Sequence, residues 1–261
     1  MDANSLQTGL AGLPIPSIQY FNEIGSTQEV ALHWAVSGAE EGSLVIADEQ
    51  TAGRGRFNRK WLTPRGSALA FSLILHPTAL ESPRMVFFSP LAGMAVSQVL
   101  LDSGCADVRI KWPNDVLLGD KKVSGILSEG IWVGSQVVSV VLGIGINVAT
   151  SSVPGDGELL FPATSLEQST GKKADRIVLL RSVLEEIHRL RSQLVTPEFI
   201  SAWEDKLAFR GMPVQVEQIG KENITGILRG INMDGSLRII RYTGEQVDIT
   251  AGDLSLRPMN K

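Results

Sequence analysis

A lone cysteine, Cys105, leaves this 261-residue chain without a partner for an internal disulfide. The three histidines, His33, His76 and His188, stand too far apart for zinc spacing, and neither CxxC nor HExxH occurs. No metal held by a dedicated protein site is expected. Excess basic charge is also missing: 24 basic against 28 acidic residues leave a net charge of -4. That balance argues against broad adhesion to nucleic acid or to a membrane, so any basic cluster must act locally. Both standard phosphate loops are absent, because Gly53-Arg54-Gly55 has no third glycine and no GxxxxGK occurs. The N-terminal MDANSLQTGLAGLPIPS has no basic n-region and no sustained apolar core, so it does not read as a secretory signal, and a reducing cytoplasm is expected. Charge is missing altogether from Gly130 to Gly155. Gly134, Gly143 and Gly145 interrupt that stretch and valine is frequent, which predicts two buried strands joined at Gly134-Ser135 rather than a membrane span.

What is present describes a globular protein: 43% hydrophobic residues and enough length for one sizeable domain plus a small appendage. The spacing after Ser26-Thr27-Gln28-Glu29 predicts a short helix ending near Gly38. Strands are predicted over 43–47, 67–75, 108–111, 123–132 and 137–146, and a longer helix from Pro83 to about Leu101. Beyond a loop rich in Pro, Gly and Ser, the residues Ile177, Leu180, Leu184, Ile187 and Leu194 mark an amphipathic helix, and another starts after Thr196-Pro197. From Gly211 the texture changes to short strands punctuated by Gly220-Lys221, Asp234-Gly235 and Thr243-Gly244, the pattern of a small β-barrel. These signals divide the chain into a leader over 1–16, expected to be mobile, a main domain over 17–209 and a β-rich domain over 210–261.

Three constellations carry chemistry. The segment QTAGRGRFNRKW, Gln50 to Trp61, begins a run of five cations, Arg54, Arg56, Arg59, Lys60 and Arg65, with no carboxylate among them. Arginine forks suit phosphate or carboxylate, and Gly53 and Gly55 permit close backbone approach, although a solvated surface loop has the same composition. KWPNDVLLGDKKVSG, Lys111 to Gly125, leads through an extended Trp112-Pro113 into Asn114-Asp115 and then a hairpin bearing Lys121 and Lys122. Asp115 suits a Mg²⁺-nucleotide or the orientation of a cation, whereas Pro-Asn-Asp is also an ordinary turn signal. In GIGINV, Gly143 to Val148, Asn147 closes an apolar strand, either to bond a neighbouring turn or to meet a ligand.

In this order and spacing, GRGR, KWPND, KKVSG and GIGIN resemble biotin protein ligases, and the similarity extends upstream through Ser26-Thr27 and downstream into the β-rich end. The resemblance implies an α/β (α+β) fold, a mixed sheet flanked by helices as in class II aminoacyl-tRNA synthetases and lipoate ligases, with a C-terminal SH3-like barrel. Too few residues precede Ile18 for the DNA-binding winged helix that some relatives add, so repression by that route is not expected. The implied reaction joins biotin to ATP, presented with Mg²⁺, to give biotinoyl-5'-AMP and pyrophosphate. Biotin then passes to a lysine of the biotin carboxyl carrier domain of acetyl-CoA carboxylase or a similar enzyme. Several relatives dimerise through sheet edges, which admits a homodimer here.

By the same resemblance Lys122 contacts the biotin carboxylate and the α-phosphate, with Arg54 and Arg56 completing the catalytic set. Ser26, Thr27, Gln28 and Gln50 surround the biotin ring, with Gly53, Gly55 and Gly125 giving it room. Arg56, Arg59, Trp61, Lys111, Asp115, Lys122 and Asn147 fall on the ATP or adenylate side, where Trp61 either stacks on adenine or anchors the loop in the core. Ser26 with Glu29 also fits a helix capping box. Asn58 stands where many relatives have glycine, and as an asparagine it tolerates left-handed geometry there. The loop is expected to order around its ligands. A lipoate ligase, a nucleic-acid-binding module gripping phosphates through the basic loop, and a biotin sensor without ligase activity are the competing readings.

Overall fold

The computed structural model describes residues 1–153, 161–218, 222–250 and 254–258. Residues 154–160 of the loop rich in Pro, Gly and Ser, and the Gly220-Lys221 turn, lie outside these residues. A seven-stranded sheet runs in the order β1-β2-β3-β7-β6-β5-β4. Its strands are Ile18–Phe21, Leu44–Ala47, Ala68–Leu75, Val108–Lys111, Asp115–Leu118, Lys121–Val133 and Gln136–Asn147 for β1 to β7. β1 and β2 are parallel and every other pairing is antiparallel, so the sheet is mixed. The uncharged stretch from Gly130 thus forms the end of β6, a turn at positive-φ Gly134, and β7.

Alternation along the central strands sorts their side chains to two faces. Leu69, Phe71, Leu73 and Leu75 of β3, with Leu142, Ile144 and Ile146 of β7, join the main core, shared with α3 (Phe88–Asp102) and α5 (Arg176–Arg191). α3 and the 3-10 turn before it, Ser82–Asp102, are long and apolar enough to cross a membrane, yet they are largely buried within the protein. The predicted helix from Pro83 is split, since Arg84 leaves helical geometry and the α-helix starts only at Phe88. On the opposite face α2 (Thr27–Val36) covers Val45, Ile74 and Val141 through Ala31 and Ala35.

The leader carries a short helix that packs against α5. α1 (Ala3–Gly9) is capped by Asp2, whose Oδ1 accepts from Ser5 N–H at 2.9 Å. Leu6 and Leu10, one helical turn apart, are buried, and Arg181 of α5 donates to the Gly9 and Ala11 carbonyls at 2.9 Å each. Burial of that apolar pair offsets the ordering cost that a polar leader could not meet.

After α4 (Leu166–Thr170), α5 and α6 (Pro197–Asp205), a second, five-stranded antiparallel sheet runs β11-β10-β9-β8-β12 between Pro213 and Pro258. It is fastened to the first sheet at the KWPND motif. Trp112 is 1% exposed and its indole N–H donates to the Gly235 carbonyl at 3.1 Å, in the turn between β9 (Ile224–Ile231) and β10 (Leu237–Ile240). Glu204 of α6 adds a second tie by accepting from Ile231 N–H at 2.8 Å.

Candidate active site

Past the N-terminus of α2, the sheet face that carries this helix changes composition. Under the helix it presents Ile74 and Val141; beyond it come Ala70, Ser72, Gly143, Gly145 and Gly125. Small residues at the period-two positions of three adjacent strands hollow the surface, leaving a cavity of about 470 Å³. That volume suits a small organic ligand. The glycines are sterically required. A Cβ on Gly143 would stand 2.4 Å from Gln28 Oε1, and one on Gly145 would stand 2.3 Å from the Trp61 ring.

One end of the cavity is neutral and rich in hydrogen-bonding groups. Gln50 Oε1 accepts from Thr27 N–H at 2.9 Å and from Thr27 Oγ1 at 3.1 Å, while Gln50 Nε2 donates to Thr63 Oγ1 at 3.1 Å. Ser72 Oγ lies 3.0 Å from Thr27 Oγ1 and 3.1 Å from Gln28 Oε1. Ser26 caps α2 through its backbone, but its side chain makes no cap bond, so the capping box with Glu29 does not form. Its hydroxyl is buried with no partner among the described residues, and such a group costs about 1–3 kcal/mol unless something pairs with it.

The other end is cationic. β6 bulges at Val123: Leu117 pairs with Lys122 and Val116 with Ser124, leaving Val123 unpaired. Val123 and Ser124 are both fully buried, and the extra residue brings Lys122 and Gly125 onto the cavity face despite their three-residue spacing. Lys122 Nζ sits 2.5 Å from Asp115 Oδ1 and 5.5 Å from the Trp61 ring centre. Lys111 Nζ is 3.8 Å from the other Asp115 oxygen and 4.0 Å from the centre of the Phe161 ring. Burial pushes the Lys111 ammonium down to about 8, against the opposing pull of Asp115. Asn147 takes the bonding role foreseen as one of its two options, donating to the Thr164 carbonyl at 3.0 Å, and Lys122 N–H bonds the Pro162 carbonyl at 2.7 Å.

The glycine and arginine loop folds back over this cavity as a hairpin. Gly55 N–H bonds the Arg59 carbonyl at 2.7 Å and Trp61 N–H bonds the Gly53 carbonyl at 2.8 Å. The left-handed residue is Phe57, at φ 57°, and not Asn58, whose side chain lies outside the described residues. The Arg56 guanidinium stacks 4.8 Å from the Phe57 ring centre and donates to Asn114 Oδ1 at 3.4 Å. The Trp61 indole rests on the glycine floor at Gly125 and Gly145, its N–H buried with no partner among the described residues.

Every site residue expected from the sequence lines this cavity except Gly53, which lies behind it, where a Cβ would meet the Trp61 carbonyl at 2.4 Å. Arg65, the last of the five loop cations, turns away to Glu49 at 3.1 Å and Glu23 at 3.4 Å. The structure adds Phe57, Asn114 and Phe161 to the lining, with Glu129 bonded to two lining residues, Gln28 and Arg54. Asn114 and Phe57 carried a sequence signal, lying inside KWPND and QTAGRGRFNRKW; Phe161 and Glu129 sit in stretches with no local pattern.

Residues 20–147 match the Biotin/lipoate A/B protein ligase family, and residues 211–257 match the Biotin protein ligase C terminal domain. The chain is 42% identical over 167 residues to the bifunctional ligase/repressor BirA of Bacillus spizizenii, covering 63% of this chain and 50% of that protein. The match therefore spans half the length of the Bacillus relative. Identity to the biotin--[acetyl-CoA-carboxylase] ligase of Paracoccus denitrificans is 36% over 228 residues, 85% of this chain and 93% of the relative. Among solved structures, the biotin protein ligase from Aquifex aeolicus in complex with biotin and ATP superposes with a TM-score of 0.79 at 34% identity, over 94% of this chain and all of that one. With the glycine floor, the bulged lysine and the arginine hairpin gathered on one sheet face, these likenesses place the chain in the biotin protein ligase family.

Proposed function

We propose that this chain activates biotin with Mg-ATP to biotinoyl-5'-AMP and pyrophosphate, then transfers biotin to a lysine of a biotin carboxyl carrier domain. The observation that carries this reading is the polarity of the cavity, with an orphaned Ser26 hydroxyl in a neutral hydrogen-bonding pocket at one end and a cation cluster at the other. A ureido ring supplies the donors and acceptors that Ser26, Thr27 and Gln50 require, and the valeryl chain crosses the glycine floor with its carboxylate directed toward Lys122.

The chemical obstacle is the meeting of two anions. A carboxylate oxygen attacks the α-phosphorus and pyrophosphate leaves, so positive charge must neutralise both partners and the pentacoordinate transition state. Lys122 serves as the point charge at the reacting centre, while Arg54 and Arg56 offer planar forks from the hairpin above. Trp61 leaves the floor when ligands arrive and becomes available to stack on adenine. In the second half-reaction the acceptor lysine attacks the acyl carbonyl as the neutral amine and AMP departs. The carrier docks at the mouth of the cavity, beside the edge of β6.

The test incubates the protein with biotin, Mg-ATP and an apo-carrier domain and measures carrier biotinylation, with lipoate as competitor. Biotin transfer insensitive to lipoate is expected; no transfer would sink the reading. Lys111 adds a pH signature. If its ammonium faces the triphosphate, kcat/KM for ATP falls as pH rises through about 8, where Lys111 in the free enzyme loses its proton. Lys111→Arg stays charged over that range, so its profile should be flat.

A further inference from the structure

β6 carries a carboxylate that this mechanism does not use. Glu129 Oε2 accepts from Gln28 Nε2 at 3.0 Å, and Glu129 Oε1 faces Arg54 Nη2 at 3.4 Å. Gln28 is itself held in place: it is 3% exposed, its Nε2 also donates to the Val141 carbonyl at 3.2 Å, and its Oε1 accepts from Ser72 Oγ at 3.1 Å. A rigid path therefore runs from the sheet through Gln28 and Glu129 to the first arginine of the hairpin. Gly53 and Gly55 flank that arginine, so its backbone gives the side chain little direction.

Both members of the pair are about one-third exposed, and ion pairs in that setting contribute little to stability. Their geometry serves another purpose. A guanidinium has five N–H donors, so Arg54 can hold Glu129 with one and keep others for a second anion. We propose that Glu129 is a positioning residue that aims Arg54 at the biotin carboxylate, with Gln28 fixing Glu129 in turn. Gln28 follows Thr27 in the first turn of α2, so one helix start sets both the ring pocket and the arginine that meets the carboxylate end. The proposal rests on the biotin ligase reading.

Glu129→Gln is the probe, being nearly isosteric and removing the charge while leaving an acceptor for Gln28. Biotin binding measured by calorimetry without ATP should weaken by about 10-fold, and KM for biotin should rise by a similar factor. kcat at saturating biotin should fall by less than KM rises, a split that general loss of structure would not give. In an Arg54→Ala background the same substitution should change affinity by less than about 2-fold, because its route of action is gone. Glu129→Asp, which keeps the charge on a shorter stem, should fall between. Wild-type affinity in Glu129→Gln, or an undiminished loss in the Arg54→Ala background, would overturn the proposal. Absence of biotin binding by the wild-type protein would remove the functional reading itself, and this proposal with it.

Discussion

Lys122→Ala is expected to lower kcat for biotin-dependent pyrophosphate exchange by about 10²- to 10³-fold, the usual cost of removing one group that stabilises charge developing in a transition state. The ammonium stands 2.5 Å from Asp115 at the cationic end of the cavity, on the face that the bulge selects. The effect should fall mainly on kcat, because the ring pocket around Ser26, Thr27 and Gln50 stays intact and biotin still binds through it. Lys111 remains 3.8 Å from Asp115, so the carboxylate keeps a cation nearby and the melting temperature should change little. Lys122→Arg restores charge without the compact geometry, and recovery should be partial. The measurement is exchange of labelled pyrophosphate into ATP at saturating biotin. Exchange within about 3-fold of wild type in Lys122→Ala would mean that Lys122 is not at the reacting centre.

The second large effect concerns stability. Trp112 is 1% exposed and hydrogen-bonded to Gly235 across the two sheets, so Trp112→Ala opens a cavity and strips a buried carbonyl of its donor. Truncating a buried tryptophan costs about 3–5 kcal/mol. For a protein of this size that is a fall in Tm of roughly 6–20 °C. Trp112→Phe retains most of the packing and loses the hydrogen bond, so its loss should be about 1–2 kcal/mol. Scanning calorimetry compares the two. A fall below about 3 °C for Trp112→Ala would show that the junction between the sheets carries little of the stability. Activity should suffer in parallel, since Lys111, Asn114 and Asp115 lie within three residues of the lost anchor.

Much of the architecture was legible because its signals are local. The apolar runs of β2, β3, β6 and β7 and the spacing in α5 announced themselves; Leu194 was read as helical but is buried in the turn after Arg191, where α5 ends. β1 escaped because Ile18–Phe21 is a four-residue edge strand of intermediate burial throughout. β5 escaped because a strong turn signal, Pro-Asn-Asp, runs straight into Asp115–Leu118. Much of the cavity lining was legible for the same reason, since residues such as Gln50, Arg54, Lys122 and Asn147 sit in short motifs. Partnerships across the fold were not. The hairpin looked free of carboxylates, yet the partner of Arg54 stands 75 residues further on, at Glu129. Ser26 presented the opposite case: a local capping pattern was plausible, yet the hydroxyl lines the cavity with no partner among the described residues.

The bulge at Val123 has a consequence for sequence change at this site. Side chains on a strand alternate, so which face Lys122 occupies depends on whether the count from Lys122 to Gly125 is odd or even once the unpaired residue is discounted. Exchanging Val123 for another apolar residue leaves that parity alone. Deleting the unpaired Val123 gives a regular ladder in which Lys122 and Gly125 stand two residues apart and still share the cavity face, whereas adding one paired residue turns Lys122 into the core and away from Asp115. The lysine's place is thus written in the number of paired residues as much as in residue identity, and a one-residue insertion in the paired ladder between Lys122 and Gly125 should be more damaging than loss of Val123.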